Sequence, residues 1–212
     1  MVITYLGNSL IKITQGDLVI SCNPYKGEGQ QKAPRFGADI VLVSKLEKNY
    51  DNVESSSFGN KIPFVATGPG EYEVGGIYIK GVATKNGENQ KTEGLNTSYT
   101  ILLDGIKLCH LGGISSKPSM ATKEAIGEVD VLFVPIGGDD VIDTKDAAAT
   151  ATFLEAKVVV PINYSSGKGK NILGTFLKES GIENLKGEDK LNIKKKDVEG
   201  KEGEVVVLND VS

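Results

Sequence analysis

The chain has 212 residues, 39% hydrophobic and 25% charged, so it can fold around its own core without disulfide or metal staples. Its net charge of −4 and its single arginine, Arg35, argue against phosphate-driven binding, so no specific nucleic-acid partner is expected. No apolar run approaches the ~20 residues of a membrane span, and residues 1–6 lack the charged-then-apolar layout of a secretion signal, so a cytoplasmic protein is expected.

The first segments are short apolar runs at 3–6, 10–14 and 18–22, broken by Gly7-Asn8 and Gln15-Gly16-Asp17, which signals hairpins. Ile40-Val41-Leu42-Val43 has the pattern of a strand buried on both faces. Strands are predicted over 62–66, 76–82, 97–103 and 107–111, the last two joined by the hairpin dipeptide Asp104-Gly105. A strand over 129–136 precedes a helix that Asp143 caps and Asp146 supports, running to about residue 155. A strand over 157–162 and a helix over 171–180, stopped by Gly181, follow. Two strands, over 191–195 and 205–208, close the chain. With no repeat, low-complexity tract or linker, residues 1–212 read as a single domain of packed sheets with helices outside.

Cys22 and Cys109 both lie inside apolar runs and read as buried, reduced thiols.

Five segments in order carry a resemblance. They are Thr4-Tyr5-Leu6-Gly7-Asn8-Ser9, Gly68-Pro69-Gly70-Glu71-Tyr72-Glu73, Cys109-His110-Leu111-Gly112, the run from Asp130 to Gly138, and Val160-Pro161-Ile162-Asn163-Tyr164. Together they resemble the metallo-β-lactamase-fold superfamily, in particular its short Zn-dependent-hydrolase-like branch. The resemblance covers essentially the whole chain. It implies an α+β fold, a four-layer αβ/βα sandwich of two mixed β-sheets with outer helices. It also implies two metals in a cleft at the sheet edges, held by His and Asp, activating a water.

The ligand positions implied by that resemblance hold other residues here. The His-x-His-x-Asp-His loop falls on Lys45, Glu47, Asn49 and Tyr50. The histidine after the first strand is Asn8, another falls near Asn86, the bridging aspartate is Gly113, and the last histidine is Asn163. The one histidine of the chain, His110, matches a residue beside a ligand rather than a ligand. A lysine ammonium carries only donors, and the asparagines shed both charge and zinc affinity. The expectation is therefore a vestigial cleft with no cofactor and a catalytically inactive protein with a binding or structural role. The partner of such a role is unknown, and self-association or pairing with an active relative is left open. The alternative is a hydrolase with a non-standard site, in which His110, Glu47 or Lys45 does acid–base work.

Other candidates have plainer readings. Glu71 and Glu73 could form a carboxylate pair but read as scaffold. Asp139, Asp140, Asp143 and Asp146 lack the spacing of a calcium loop and read as helix capping with solvated surface. Lys168 and Lys170, in a Gly- and Lys-rich stretch after Asn163, could attract an anion, although the stretch does not match a phosphate-binding loop. Lys194-Lys195-Lys196 reads as an exposed strand end.

Overall fold

The apolar runs and tight turns build two sheets. The computed structural model describes residues 1–27, 34–59, 61–84, 95–137, 141–164 and 171–212. In chain order the elements are β1 (Val2–Tyr5), β2 (Ile11–Gln15), β3 (Leu18–Cys22), β4 (Ile40–Leu42), β5 (Phe64–Ala66), β6 (Gly70–Val74), β7 (Ile77–Thr84), β8 (Asn96–Leu103) and β9 (Ile106–His110). They continue with α1 (Met120–Ile126), β10 (Val131–Pro135), α2 (Thr144–Phe153), β11 (Val158–Ile162), α3 (Ile172–Glu179), β12 (Leu191–Asn192) and β13 (Glu204–Val205). The first sheet has the order β12-β1-β2-β3-β4-β5 and the second β13-β11-β10-β9-β8-β7-β6. Both are mixed: β3, β4 and β5 run parallel, as do β9, β10, β11 and β13, while hairpins supply the antiparallel pairs.

Alternation along the strands sorts side chains into layers. Ile40 and Leu42 of β4, Val131 and Phe133 of β10, and Val158 and Val160 of β11 face the core between the sheets, with Tyr5, Ile13, Ile79 and Ile101. The alternate residues of the second sheet, Cys109, Leu132, Val134 and Val159, face outward under the helices, against Ile126, Ala147, Ala151 and Phe176. Val41 and Val43 face the opposite way from the first sheet, where Phe36 and Val53 cover them. Among the described residues that outer layer is extended chain and a 3-10 turn over Val53–Ser56 rather than an α-helix.

The Asp104-Gly105 turn closes β8 onto β9, with φ of +53° and +70°, the pair of left-handed residues a two-residue hairpin of this hand requires. Asp143 caps α2 by accepting from the Asp146 N–H at 2.8 Å, as its position predicts.

Two expectations need correction, and two elements lie outside the expected set. The 191–195 strand ends at Asn192, because Asp197 Oδ2 accepts from the Lys194 N–H at 2.8 Å and turns the chain into a 3-10 turn. Lys195 is therefore no strand end; its ammonium reaches Asp130 at 3.2 Å. The seven-residue α1 was not anticipated; its local signal is the Ser119 hydroxyl, which accepts from the Thr122 N–H. Strand β6 was read only as a motif, yet it pairs with β7 across its full length.

Candidate active site

Strands β1, β3, β4, β9 and β11 end at one edge of the sandwich, and the residues just beyond them meet there. The Asn163 N–H donates to the Asn8 carbonyl at 2.8 Å, and the Ser9 hydroxyl to Asn163 Oδ1 at 2.5 Å. The Thr97 N–H donates to the Ser44 carbonyl at 2.9 Å, a second tie between the sheets. Asn8, Asn23 and Asn163 all sit at positive φ, +47°, +53° and +62°. Asparagine tolerates that backbone better than other side chains except glycine. Asn8 and Asn163 are thus selected by turn geometry as well as by polarity.

The turn after β4 carries the main feature. Tyr50 and Asp51 both donate their N–H to the Glu47 carbonyl, which closes the turn and directs Tyr50 inward. Lys45 and Tyr50 are buried, at 3% and 5% exposure, and the Lys45 ammonium lies 5.5 Å from the centre of the Tyr50 ring. That distance and arrangement match a cation–π contact. The Tyr50 hydroxyl lies so close to Gly113 that any Cβ there would overlap it, with the ring carbon Cζ only 2.8 Å away. Gly113 is required because Tyr50 fills its side-chain space. At Gly112 a Cβ would stand 2.5 Å from both Ser44 Oγ and Asn96 Oδ1. Lys45, Tyr50, Ser44 and the 112–113 glycines therefore form one packed cluster.

Asn96, fully buried at the start of β8, holds the cluster in place. Its Nδ2 donates to the Leu111 carbonyl at 2.8 Å and to Thr84 Oγ1 at 2.6 Å, while its Oδ1 accepts from the Gly113 N–H at 2.8 Å. The Tyr99 hydroxyl sits between the Val43 and Ala66 carbonyls at 3.0 and 3.1 Å, fixing the ends of β4 and β5. Sequence reasoning singled out neither residue, nor Asn23 and Ser44 as site residues. Only the place of Ser44 directly after a buried strand signalled a role.

His110 is placed as a structural residue. Its Nδ1 accepts from the Gly112 N–H at 3.0 Å, so Nε2 carries the hydrogen and donates to the Ser9 carbonyl at 2.9 Å. Burial pulls the imidazole down to about 4, with the Ser9 carbonyl acting the other way. Both ring nitrogens are committed, so His110 has none left for acid–base work or for a metal.

Of the remaining expected residues, Glu47 is half-buried on the turn and Asn49 is exposed, so Asn49 does not enter the cluster. Asn86, Lys168 and Lys170, with Asp139 and Asp140, lie outside the described residues. Glu71 and Glu73 are exposed on β6, and Asp146 pairs with Lys117 at 3.3 Å.

The resemblance implies a metal centre at this edge. Among the described residues no three His, Cys, Asp or Glu side chains come together where they could hold a metal ion. An ammonium and a phenol stand at the ligand positions of Lys45 and Tyr50, and Tyr50 fills the space beside Gly113. The donor set of the described residues does not fit a zinc centre.

Comparison with known proteins defines the family. A profile of the beta-lactamase superfamily domain matches residues 2–163. A UPF0173 metal-dependent hydrolase from Lysinibacillus sphaericus is 25% identical over 228 residues, covering 91% of this chain and 99% of its own. One from Thermococcus onnurineus is 30% identical, covering 66% of this chain and 62% of its own. A Thermotoga maritima structure, assigned as a Zn-dependent hydrolase of the metallo-β-lactamase superfamily, superposes with a TM-score of 0.77. It is 31% identical, with 98% of this chain and 97% of that one covered. These relatives overturn the expectation of a catalytically inactive protein. The altered ligand positions were read as loss of chemistry, whereas the proteins matching along the chain are named hydrolases. The chain belongs to the beta-lactamase superfamily, with two mixed β-sheets and outer helices in that family's arrangement.

Proposed function

We propose that the chain is a hydrolase working from a non-standard site at this sheet edge, centred on Lys45 and Tyr50. The observation that carries the reading is the packing of Lys45 on the Tyr50 ring and of Tyr50 against Gly113, at positions where the resemblance implies ligands. Hydrolysis of an acyl or phosphoryl bond builds negative charge on an oxygen. Fixed donors in a site shielded from water stabilise that charge strongly. Lys45 brings a positive charge into such a place and Tyr50 a hydroxyl, while Asn96 and Tyr99 hold the surrounding backbone rigid. Glu47 supplies a carboxylate on the same turn for proton transfer. His110, committed at both nitrogens, serves as a strut between β9 and the Ser9 loop.

Residues 1–212 act as one domain in this reading, supported by a core cluster that runs from Ile3 to Leu208 through both sheets. A reducing, cytoplasmic setting is supported by Cys22 and Cys109, unpaired thiols that burial pushes up to about 12. No described helix is long and apolar enough to cross a membrane.

The test is an assay of the purified protein against esters, thioesters, lactones, β-lactams and phosphoesters, repeated with Lys45→Met. The expected result is turnover of at least one class, with kcat about 100-fold lower in the variant. Turnover of none, or turnover that Lys45→Met leaves unchanged, defeats the proposal.

A further inference from the structure

The outer face of the second sheet carries a groove that the candidate active site does not use. It has a volume of about 910 Å³ and lies between α2, the end of α3 and residues 200–205. Ala156 and Val159 line it near the start of β11, whereas the candidate site lies beyond the other end of that strand, at Asn163. The groove exists because α2 is rich in alanine. Ala148 and Ala151 leave room that longer side chains would fill, and with Ala156, Val159 and Val205 they form an apolar floor. A concave space of this size, apolar within and edged by a few polar groups, suits a small organic molecule.

The rim is charged, and half of its charges are paired with residues outside the groove. Lys157 reaches Asp130 and Lys201 reaches Glu204, each at 2.7 Å, and Glu155 takes the Lys123 ammonium at 2.6 Å. Two other rim carboxylates, Glu179 and Glu202, enter no ion pair among the described residues. They gather at one end. The Gly203 N–H donates to the Ala156 carbonyl at 2.9 Å, which sets Glu202 near Glu155, and α3 runs from Ile172 beside Gly137 to finish at Glu179 in the groove. The end of α2 is here too, so two helix C-termini, which favour positive charge, face the same space. The remaining rim lysine, Lys145, stands at the start of α2, about 15 Å along the helix from Glu155. One end of the groove therefore offers uncompensated negative charge beside an apolar floor.

We propose that this groove binds a small organic cation, an ammonium group carried on an apolar body. The ammonium sits by Glu179, Glu202 and the two helix ends, where hydrogen bonds to a carboxylate are charge-assisted. The apolar body lies on the floor of Ala148, Ala151, Val159 and Val205 and gains from leaving water. Lys145 at the other end disfavours a second positive charge on the same molecule. The site lies apart from the cleft and does not rest on the hydrolase reading.

The test titrates the whole chain with hexylammonium, hexanol and hexanoate, which share one apolar body and differ in charge, and follows amide spectra. Hexylammonium is expected to move the Ala148, Thr152, Ser180 and Gly203 N–H signals along one saturating curve. Its dissociation constant should be at least about five-fold below those of hexanol and hexanoate. Replacing both exposed carboxylates, Glu179→Gln with Glu202→Gln, should remove that preference and leave hexanol binding unchanged. Ala148→Leu, which fills part of the groove, should weaken hexylammonium and hexanol alike. The wild-type titrations stand without either variant. No saturating response to hexylammonium overturns the proposal, as do signal changes confined to other regions. Hexanol or hexanoate binding as tightly as hexylammonium overturns it too, as does a preference that survives the double replacement or binding that Ala148→Leu leaves intact.

Discussion

The two ends of the sandwich treat buried polar groups in opposite ways. At the end where β10 begins, Asp130 is buried and every demand it makes is met. Lys157 reaches one carboxylate oxygen at 2.7 Å, and Lys195 and the Lys107 N–H reach the other at 3.2 and 2.8 Å. Burial would raise this carboxyl, but Lys157, the Lys107 N–H and Lys195 together hold it below the usual carboxylate range. At the far end, Asn23 Nδ2 and Ser44 Oγ are buried and, among the described residues, have no hydrogen-bond partner. Satisfied networks of the first kind specify a fold, and buried donors left over are what a fold retains for something else.

The comparison is broken most severely at Gly113. Gly113→Asp places a Cβ into the Tyr50 hydroxyl and a carboxylate into a packed space, costing about 4 kcal/mol or more. Urea unfolding measures it. In a double-mutant cycle, Tyr50→Ala should recover a large part of that loss, because it vacates the contested volume. If the two costs simply add, Tyr50 is not what excludes a side chain at residue 113.

His110 tests whether the site edge depends on its structural members. The imidazole lies at about 4 in the folded protein against 6.5 for the free side chain. A lowered histidine favours folding while neutral, so its contribution is complete above pH 6.5. It is lost as pH falls from 6.5 to 4, and amounts to about 3 kcal/mol. Carboxylates such as Asp130 lose their contribution at lower pH, in the same direction. Unfolding free energies of wild type and His110→Gln, measured from pH 7 to pH 4, isolate the histidine. The variant should show the shallower slope between 6.5 and 4.

At the opposite end, Asp130→Asn keeps the shape and removes the charge that two lysines share. A loss of about 2 kcal/mol is expected, measured by urea unfolding at pH 7.

The sequence made the frame readable because its signals are local. The unbroken apolar runs at 40–43 and 131–135 mark strands buried on both faces, and Asp104-Gly105 and Asp143 announce their turn and cap through backbone needs. Short elements escaped because few residues carry their signal, as α1 and the two-residue β12 show. The ligand positions implied by the resemblance could be read one by one, and they left open whether the cleft is open or packed shut. Filling was not visible, because the meeting of Tyr50 with Gly113 joins residues 63 positions apart through a turn closed by Glu47. Asn23 and Asn96 were hidden for the same reason, since each acts through a neighbour distant in sequence.

The smallest expected effect is the most discriminating. Ser44→Ala removes a buried hydroxyl that makes no hydrogen bond, while the Ser44 N–H and carbonyl keep their bonds to Asn23 and Thr97. Deleting a satisfied buried hydroxyl costs about 1–3 kcal/mol, because a partner is left stranded. Deleting an unsatisfied one strands nothing, so the change should stay within about 0.5 kcal/mol and can be stabilising. Chemical denaturation in chloride buffer alone reads this difference. A loss above about 1 kcal/mol would place Ser44 with Asp130, among residues spent on the fold. A neutral result leaves the hydroxyl without a structural role.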